Sequence, residues 1–183
     1  MGTFNKISTS LPGVVLLEPR VFADERGFFM ESYNEMDFAD LGIRERFVQD
    51  SHSSSQRNVL RGLHYQLKQA QGKLVRVVEG EILDVAVDVR RNSPTFGGWA
   101  AERLSSENKR MLWIPAGFAH GFLVISQKAQ VLYKATDFYA PEHERTLIWN
   151  DPDLKIEWEL EGDPIVSPKD QRGVILRDAE TFD

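Results

Sequence analysis

The chain has 183 residues, 42% of them hydrophobic and 27% charged, with no cysteine and a formal net charge of −6. Such a length and composition predict one globular domain spanning 1–183, large enough for a substantial core, and exclude a disordered chain. The acidic balance argues against nucleic acid and anionic membranes as partners, so any anionic ligand must meet a local cluster of arginine and lysine. Disulfides, thiolate metal sites and cysteine nucleophiles are excluded. The N-terminus has no basic stretch followed by a long apolar one, and no apolar run approaches a membrane span. A cytoplasmic protein is therefore expected.

In chain order, Val14 to Leu17 lies between Gly13 and Pro19 and reads as a buried strand. The turn Asp24-Glu-Arg-Gly27 leads to a second strand over Phe28 to Tyr33, carrying Glu31. Arg26, in that turn, reads as an exposed surface arginine. Asn34 to Leu41 predicts a short helix: Asn34 is a suitable N-cap, acidic residues fill the first turn, and Gly42 follows the end. The polar stretch Gln49 to Asn58 is too long for a plain hairpin turn and reads either as a binding loop or as flexible surface.

Val59 to Gln66 predicts a strand whose alternation puts Leu60, His64 and Gln66 on one face and Arg61 on the other. Arg61 and His64 can then share a pocket only through a bulge, a twist at Gly62 or a second subunit. His64 itself reads either as a hydrogen-bonded core residue or as a base. Lys73 to Glu79 and Glu81 to Val89 suggest a hairpin around Gly80. Apolar residues on both faces of its second strand predict burial on both sides, as in a sandwich or a subunit contact. Asp84, within that strand, must then be paired, whether for structure or for chemistry.

Asn92 to Gly98 is a turn cluster, after which strands are expected at Trp99 to Leu104 and Arg110 to Ile114, flanking a turn at Ser105 to Lys109. Pro115 to Gly121 reads as punctuation before a strand at Phe122 to Ile125. In the strand Val131 to Thr136, Tyr133 shares a face with Val131 and Ala135, where a tyrosine is either a packed ring with a bonded hydroxyl or an acid. Thr146 to Trp149 and Ile156 to Trp158 close the strands, and Pro164 to Asp170 reads as a loop. About ten short strands with one short helix indicate an all-β sandwich or barrel; nothing alternates strand and helix, and no glycine-rich dinucleotide fingerprint occurs.

His64 and His120 raise the question of a metal. Pro115-x-Gly117-x-x-His120 resembles the second motif of the cupins, but the first requires His-x-His followed by Glu, and here His64-Tyr-Gln66 stands instead. The donor set is incomplete, so no metal is expected.

Seven stretches carry a specific resemblance: Val21-Phe-x-Asp-Glu-Arg-Gly-Phe-Phe-x-Glu-Ser-Tyr33, Phe47-Val-Gln-Asp50, Val59-Leu-Arg-Gly-Leu-His-Tyr-Gln66, Gln71-Gly-Lys-Leu-Val-Arg76, Ser93-Pro-Thr-Phe-Gly97, Trp113-Ile-Pro-x-Gly-Phe-Ala-His-Gly-Phe122 and Leu132-Tyr-Lys134. In order and spacing, from about Val14 to Asp170, they resemble the dTDP-4-dehydrorhamnose 3,5-epimerases. The resemblance implies a cupin-type double-sheet jelly roll with one short helix and an irregular C-terminal segment. It also implies a homodimer with partly shared active sites, working without cofactor or metal on a dTDP-4-keto-6-deoxyhexose. By the same resemblance His64 is the general base, Asp170 orients it, Tyr133 is the acid and Lys73 stands beside the developing enolate. Arg26 and Arg61 correspond to diphosphate contacts, and Glu31, Gln49, Asp50, Ser51, His120, Glu144 and Lys169 to sugar or nucleotide contacts. Gln66 joins these substrate contacts, and a ring of Phe138-Tyr139, taken as Tyr139, is expected on the thymine. Ser51 departs from the asparagine common in the family, leaving a hydroxyl in its place. The nearest alternative is an enzyme inverting only one of the two centres.

Overall fold

The computed structural model describes residues 2–183. Alternating apolar residues form two antiparallel sheets that face each other. The first contains β1 (Phe4–Ser8) and β2 (Val15–Pro19). A small ribbon, β3 (Phe22–Asp24) with β4 (Gly27–Phe29), stands apart from both sheets. After α1 (Glu35–Asp40), the chain runs through β5 (Gln49–Gln56), β6 (Val59–Gln66), β7 (Lys73–Glu79), β8 (Glu81–Asp88) and β9 (Trp99–Ser105). Then follow β10 (Met111–Ile114), β11 (Phe118–Val124), β12 (Lys128–Ala135), β13 (Glu144–Thr146) and β14 (Ile165–Val166). One sheet has the order β1-β2-β10-β7-β12-β5 and the other β13-β6-β11-β8-β9, with β14 added parallel to β6. This is a jelly roll of the cupin type, as the sequence implied.

Consecutive strands repeatedly cross between the sheets, and this corrects one expectation. β7 and β8 do not form a hairpin: β7 pairs with β10 and β12, whereas β8 pairs with β9 and β11 in the opposite sheet. Gly80 turns the chain across with φ +78°, and a Cβ there would stand 2.0 Å from the Lys128 carbonyl oxygen. Only glycine supplies both the dihedral and the room.

Three apolar layers result. Between the sheets, Val75, Val77, Leu112 and Val131 meet Ile82, Ala86, Leu104 and Phe122. The outer face of the second sheet is covered by the C-terminal segment, where Leu147, Leu154, Trp158 and Leu176 pack on Leu63, Val85, Val87 and Leu123. The expected burial of β8 on both faces is therefore found. Ile156 to Trp158 is not a strand but part of this irregular cover, with the Trp158 indole donating to the Trp149 carbonyl at 2.7 Å. Outside the first sheet, Phe38 of α1 packs edge-on against Phe4 and Tyr33, over Leu17, Leu74 and Met111. The Asn34 side chain accepts from Met36 N–H and Asp37 N–H, the N-cap that the sequence predicts. Among the described residues no helix is long and apolar enough to cross a membrane.

Three further expectations differ. The polar stretch from Gln49 is a strand, β5, paired along its whole length with β12. The strand expected over Phe28 to Tyr33 is shorter and belongs to the ribbon, and β11 begins at Phe118 rather than after Gly121. Pairing with β8 from Phe118↔Asp88 onward extends the ladder through the residues read as a turn.

Gly80→Ala is expected to destabilise the protein by about 2–4 kcal/mol, since the strained dihedral adds to the overlap with a backbone oxygen. The denaturant midpoint measures it, and a midpoint equal to that of the parent would show that the crossing tolerates a side chain.

Candidate active site

A bulge resolves the parity conflict on β6. His120 of β11 pairs with His64, but Phe122 pairs with Arg61, so three residues of β6 span two of β11. The extra residue resets the alternation, and Arg61 and His64, three apart, face the same cleft. Gly62 (φ +109°) and Gly121 permit it: a Cβ on Gly62 would lie 2.6 Å from the Gly121 Cα, and one on Gly121 would lie 2.6 Å from the Arg61 oxygen. Leu60, expected on the face of His64, instead joins Leu63 and Tyr65 in the outer apolar layer.

The cleft, about 560 Å³, lies between the sheets where the apolar filling stops. The second sheet contributes Arg61, His64 and His120, the first contributes Lys73 and Tyr133, and the segment after β14 contributes Lys169 and Asp170. His64 Nε2 is 2.6 Å from Oδ1 of the buried Asp170, whose Oδ2 accepts from Gly62 N–H at 3.2 Å. Burial pushes the Asp170 carboxyl up, but the bond to His64, its charge and the Gly62 N–H outweigh this and hold it below the usual carboxylate value. Asp170 is thus an anion and an acceptor, so Nε2 carries the proton and Nδ1 of neutral His64 keeps its lone pair.

Burial brings the Lys73 ammonium down to about 8, against the opposing pull of Glu144 and Asp84. Its Nζ lies 5.9 Å from the centroid of the Tyr133 ring. A second imidazole–carboxylate pair lies deeper, His120 Nε2 with Asp84 Oδ1 at 2.7 Å. Asp84 is completely buried, and its Oδ2 has no hydrogen-bond partner among the described residues. At the mouth, Glu144 accepts from the Tyr139 hydroxyl at 2.9 Å and pairs with Lys169. Burial raises the Glu144 carboxyl, yet Lys169, Tyr139 and the nearby His64 bring it below its ordinary value. Among the described residues no group of three or more metal-binding side chains converges.

Other expected contacts lie elsewhere. Arg26 is on the ribbon, its side chain 85% exposed and paired with Asp24, away from the cleft of its own chain. Glu31 accepts from the Thr3 hydroxyl at 2.7 Å, beside α1. Asp50 alternates with Ser51 along β5, does not line the cleft and pairs with Lys134 at 3.0 Å. Gln49 donates to Ser51 Oγ and accepts from Tyr139 N–H, and Ser51 pairs across from Tyr133. Gln66 is buried with its amide spent on the backbone of residues 69, 138 and 140. The sequence reading missed Ser53, Phe122, Ile165, Val166 and Ser167, which line the cleft, and Ser55, which accepts from Arg61 Nε at 3.0 Å. The period-two serines 51, 53 and 55 were the available signal for the first and last.

A jelly roll holding a carboxylate-bound imidazole, a phenol and a desolvated ammonium around one sugar-sized cleft belongs to the acid–base enzymes that move protons at activated carbon. Comparison with known proteins narrows this. The family profile described as dTDP-4-dehydrorhamnose 3,5-epimerase matches residues 8–178. The dTDP-4-dehydrorhamnose 3,5-epimerase of Pseudomonas aeruginosa is 62% identical over 174 residues, covering 94% of this chain and 96% of that protein. The crystal structure of dTDP-6-deoxy-D-glucose-3,5-epimerase from Legionella pneumophila Philadelphia 1, in complex with dTDP-4-keto-L-rhamnose, superposes with a TM-score of 0.95 at 50% identity and covers 97% of this chain and 95% of that one. A 3'-monoepimerase from Streptomyces bikiniensis, in complex with dTDP-quinovose, gives a TM-score of 0.87 at 32% identity over 92% of this chain and 86% of that one. The chain belongs to the dTDP-4-dehydrorhamnose 3,5-epimerase family.

With Lys73 near 8, the ammonium loses its proton as pH rises through that value. We expect kcat/KM, which reports the free enzyme, to fall above about pH 8. Lys73→Arg, whose charge persists, should lack that alkaline limb, and a limb unchanged in this variant would assign the titration to another group.

Proposed function

We propose that the protein epimerises dTDP-4-dehydro-6-deoxy-D-glucose at C3 and C5 to dTDP-4-dehydro-L-rhamnose, on the route to dTDP-L-rhamnose. The observation that carries this reading is the Asp170-bound His64 facing Lys73 and Tyr133 across one cleft. C3 and C5 both flank the C4 ketone, so loss of either proton gives an enolate. His64 removes the proton through Nδ1, and Asp170 stabilises the imidazolium. Lys73 stabilises the charge growing on O4, a contribution worth roughly 3–4 kcal/mol when preorganised. Tyr133 returns a proton from the opposite face. Arg61 binds the diphosphate, while His120, Lys169, Glu144 and Ser51 contact sugar or nucleotide. Identity of 62% to a 3,5-epimerase, against 37% to a 3-epimerase and 32% to a 3'-monoepimerase, favours inversion of both centres.

The whole chain, 1–183, acts as one jelly-roll unit in a cytoplasmic homodimer. Phe22, Phe28 and Phe29 of the ribbon are exposed, Phe29 at 68%, and Arg26 projects from the same ribbon. Aromatic surface of this kind suits burial against a second copy, and would carry Arg26 to that copy's cleft.

His64→Ala should lower kcat by on the order of 10²–10⁴, the usual share of a positioned base, while dTDP binds almost as before. In deuterium oxide, proton NMR of the product should show label at both C3 and C5, whereas label at one centre alone would favour the monoepimerase. Tyr133→Phe should slow epimerisation more than deuterium washout. Equal losses of both would argue against a reprotonating role. Sedimentation should give a dimer that Phe29→Arg weakens, and a monomeric parent protein would refute the shared site.

A further inference from the structure

Residues 137–139 leave β12 and, among the described residues, form no backbone-to-backbone hydrogen bond. Three glutamine side chains hold this segment instead. Gln71 Nε2 donates to the Asp137 carbonyl at 2.8 Å. Gln66 donates through Nε2 to the Phe138 carbonyl at 3.2 Å and to the Gln69 carbonyl at 2.7 Å, and its Oε1 accepts from Ala140 N–H at 2.9 Å. Gln49 Oε1 accepts from Tyr139 N–H at 3.0 Å. The amides come from β5, from the end of β6 and from the loop before β7, so each side of the segment is fixed from a different direction.

The segment presents two exposed rings, and the structure distinguishes them. The Tyr139 hydroxyl reaches Glu144, which pairs with Lys169 in the cleft wall, whereas no aromatic or cation partner is found for the Phe138 ring among the described residues. Tyr139 is the ring tied to the cleft mouth.

We propose that Gln66 and Gln71 are positioning residues for nucleotide recognition: with Gln49 they clamp the backbone of 137–140 so that Tyr139 stands ready to receive a planar base. This rests on the nucleotide-sugar reading above, and it differs from what the resemblance implies in one respect, because Gln66 then acts through Tyr139 and touches no ligand. Its amide is buried, both of its N–H donors are spent on the Gln69 and Phe138 carbonyls, and its oxygen already accepts from Ala140 N–H.

The test is a double-mutant cycle on dTDP binding, read by calorimetry. Gln66→Met and Gln71→Met preserve side-chain length without hydrogen bonds, and each should weaken dTDP binding about tenfold by freeing groups that were bonded. In a Tyr139→Ala background the same changes should add less than about twofold, since coupled residues are non-additive. Full additivity in that background would overturn the proposal, as would unchanged binding in Tyr139→Ala itself or in both methionine variants. Amide exchange across 137–144 should rise in Gln71→Met more than in β8 or β11, which tests the clamp if Gln66→Met does not fold. Because dTDP alone is the probe, absence of turnover on the keto-sugar would count against the activity without deciding this proposal.

Discussion

The close approach of β6 and β11 at Gly62 and Gly121 is the constraint on which the site depends. Neither strand can carry a Cβ there without meeting backbone at 2.6 Å. The bulge that accompanies it puts three residues opposite two and turns Arg61 toward the side that His64 already faces. The same contact aims Gly62 N–H at Asp170 Oδ2, so the carboxylate that holds the imidazole is itself held by the bulge. One local distortion therefore brings Arg61 to the side of His64 and supplies a donor to the carboxylate that holds the imidazole. A regular strand would have put Arg61 in the outer apolar layer, where Leu60 and Leu63 now sit.

The electrostatics follow from where the sheets stop filling the space between them. The protein is acidic overall, yet the cleft gathers Arg61, Lys73 and Lys169 with two histidines, and the carboxylates lie behind or beside them, each committed to a partner. Asp170 answers His64, Asp84 answers His120, and Glu144 answers Lys169 and Tyr139. An anionic ligand entering this cleft displaces water from groups already oriented. Lys73 is the least compensated of them, and burial lowers its affinity for the proton accordingly. Negative charge forming beside an ammonium so placed would restore what burial took away, which is the physical basis of the enolate role proposed for Lys73.

What the sequence disclosed depended on range. Asn34 and Gly42 delimited α1 because capping is local, and the apolar faces of β8 announced their burial without saying by what. β5 escaped because its less exposed residues are Gln49 and serines 51, 53 and 55, of which Ser53 lines the cleft, and a period-two stripe of polar side chains looks like a loop to any reading based on hydrophobicity. At Gly80 the residues on both sides were read as strands correctly, but their partners lie in opposite sheets, a choice made by distant strands. The bond between His64 and Asp170 spans 106 residues and no spacing encodes it. It was reachable only through the motif resemblance, as was the role given to Tyr133. Conversely, the resemblance placed Gln66 and Asp50 among ligand contacts, while the structure spends one on a neighbouring backbone and turns the other to the far face.

In the proposed reaction one base and one acid serve two stereocentres. C3 and C5 share a ketone, so on the proposed assignment the oxyanion beside Lys73 is common to both enolates and only the carbon presented to His64 changes. On that reading the choice between inverting one centre and two falls to the cleft walls, where Phe122, Ile165 and Val166 lie in the same cleft as Arg61. A monoepimerase with a TM-score of 0.87 to this chain supports that view, since the scaffold alone cannot account for the difference in outcome. The side chains that line the cleft, rather than the fold, are therefore where the difference between one inversion and two is to be sought.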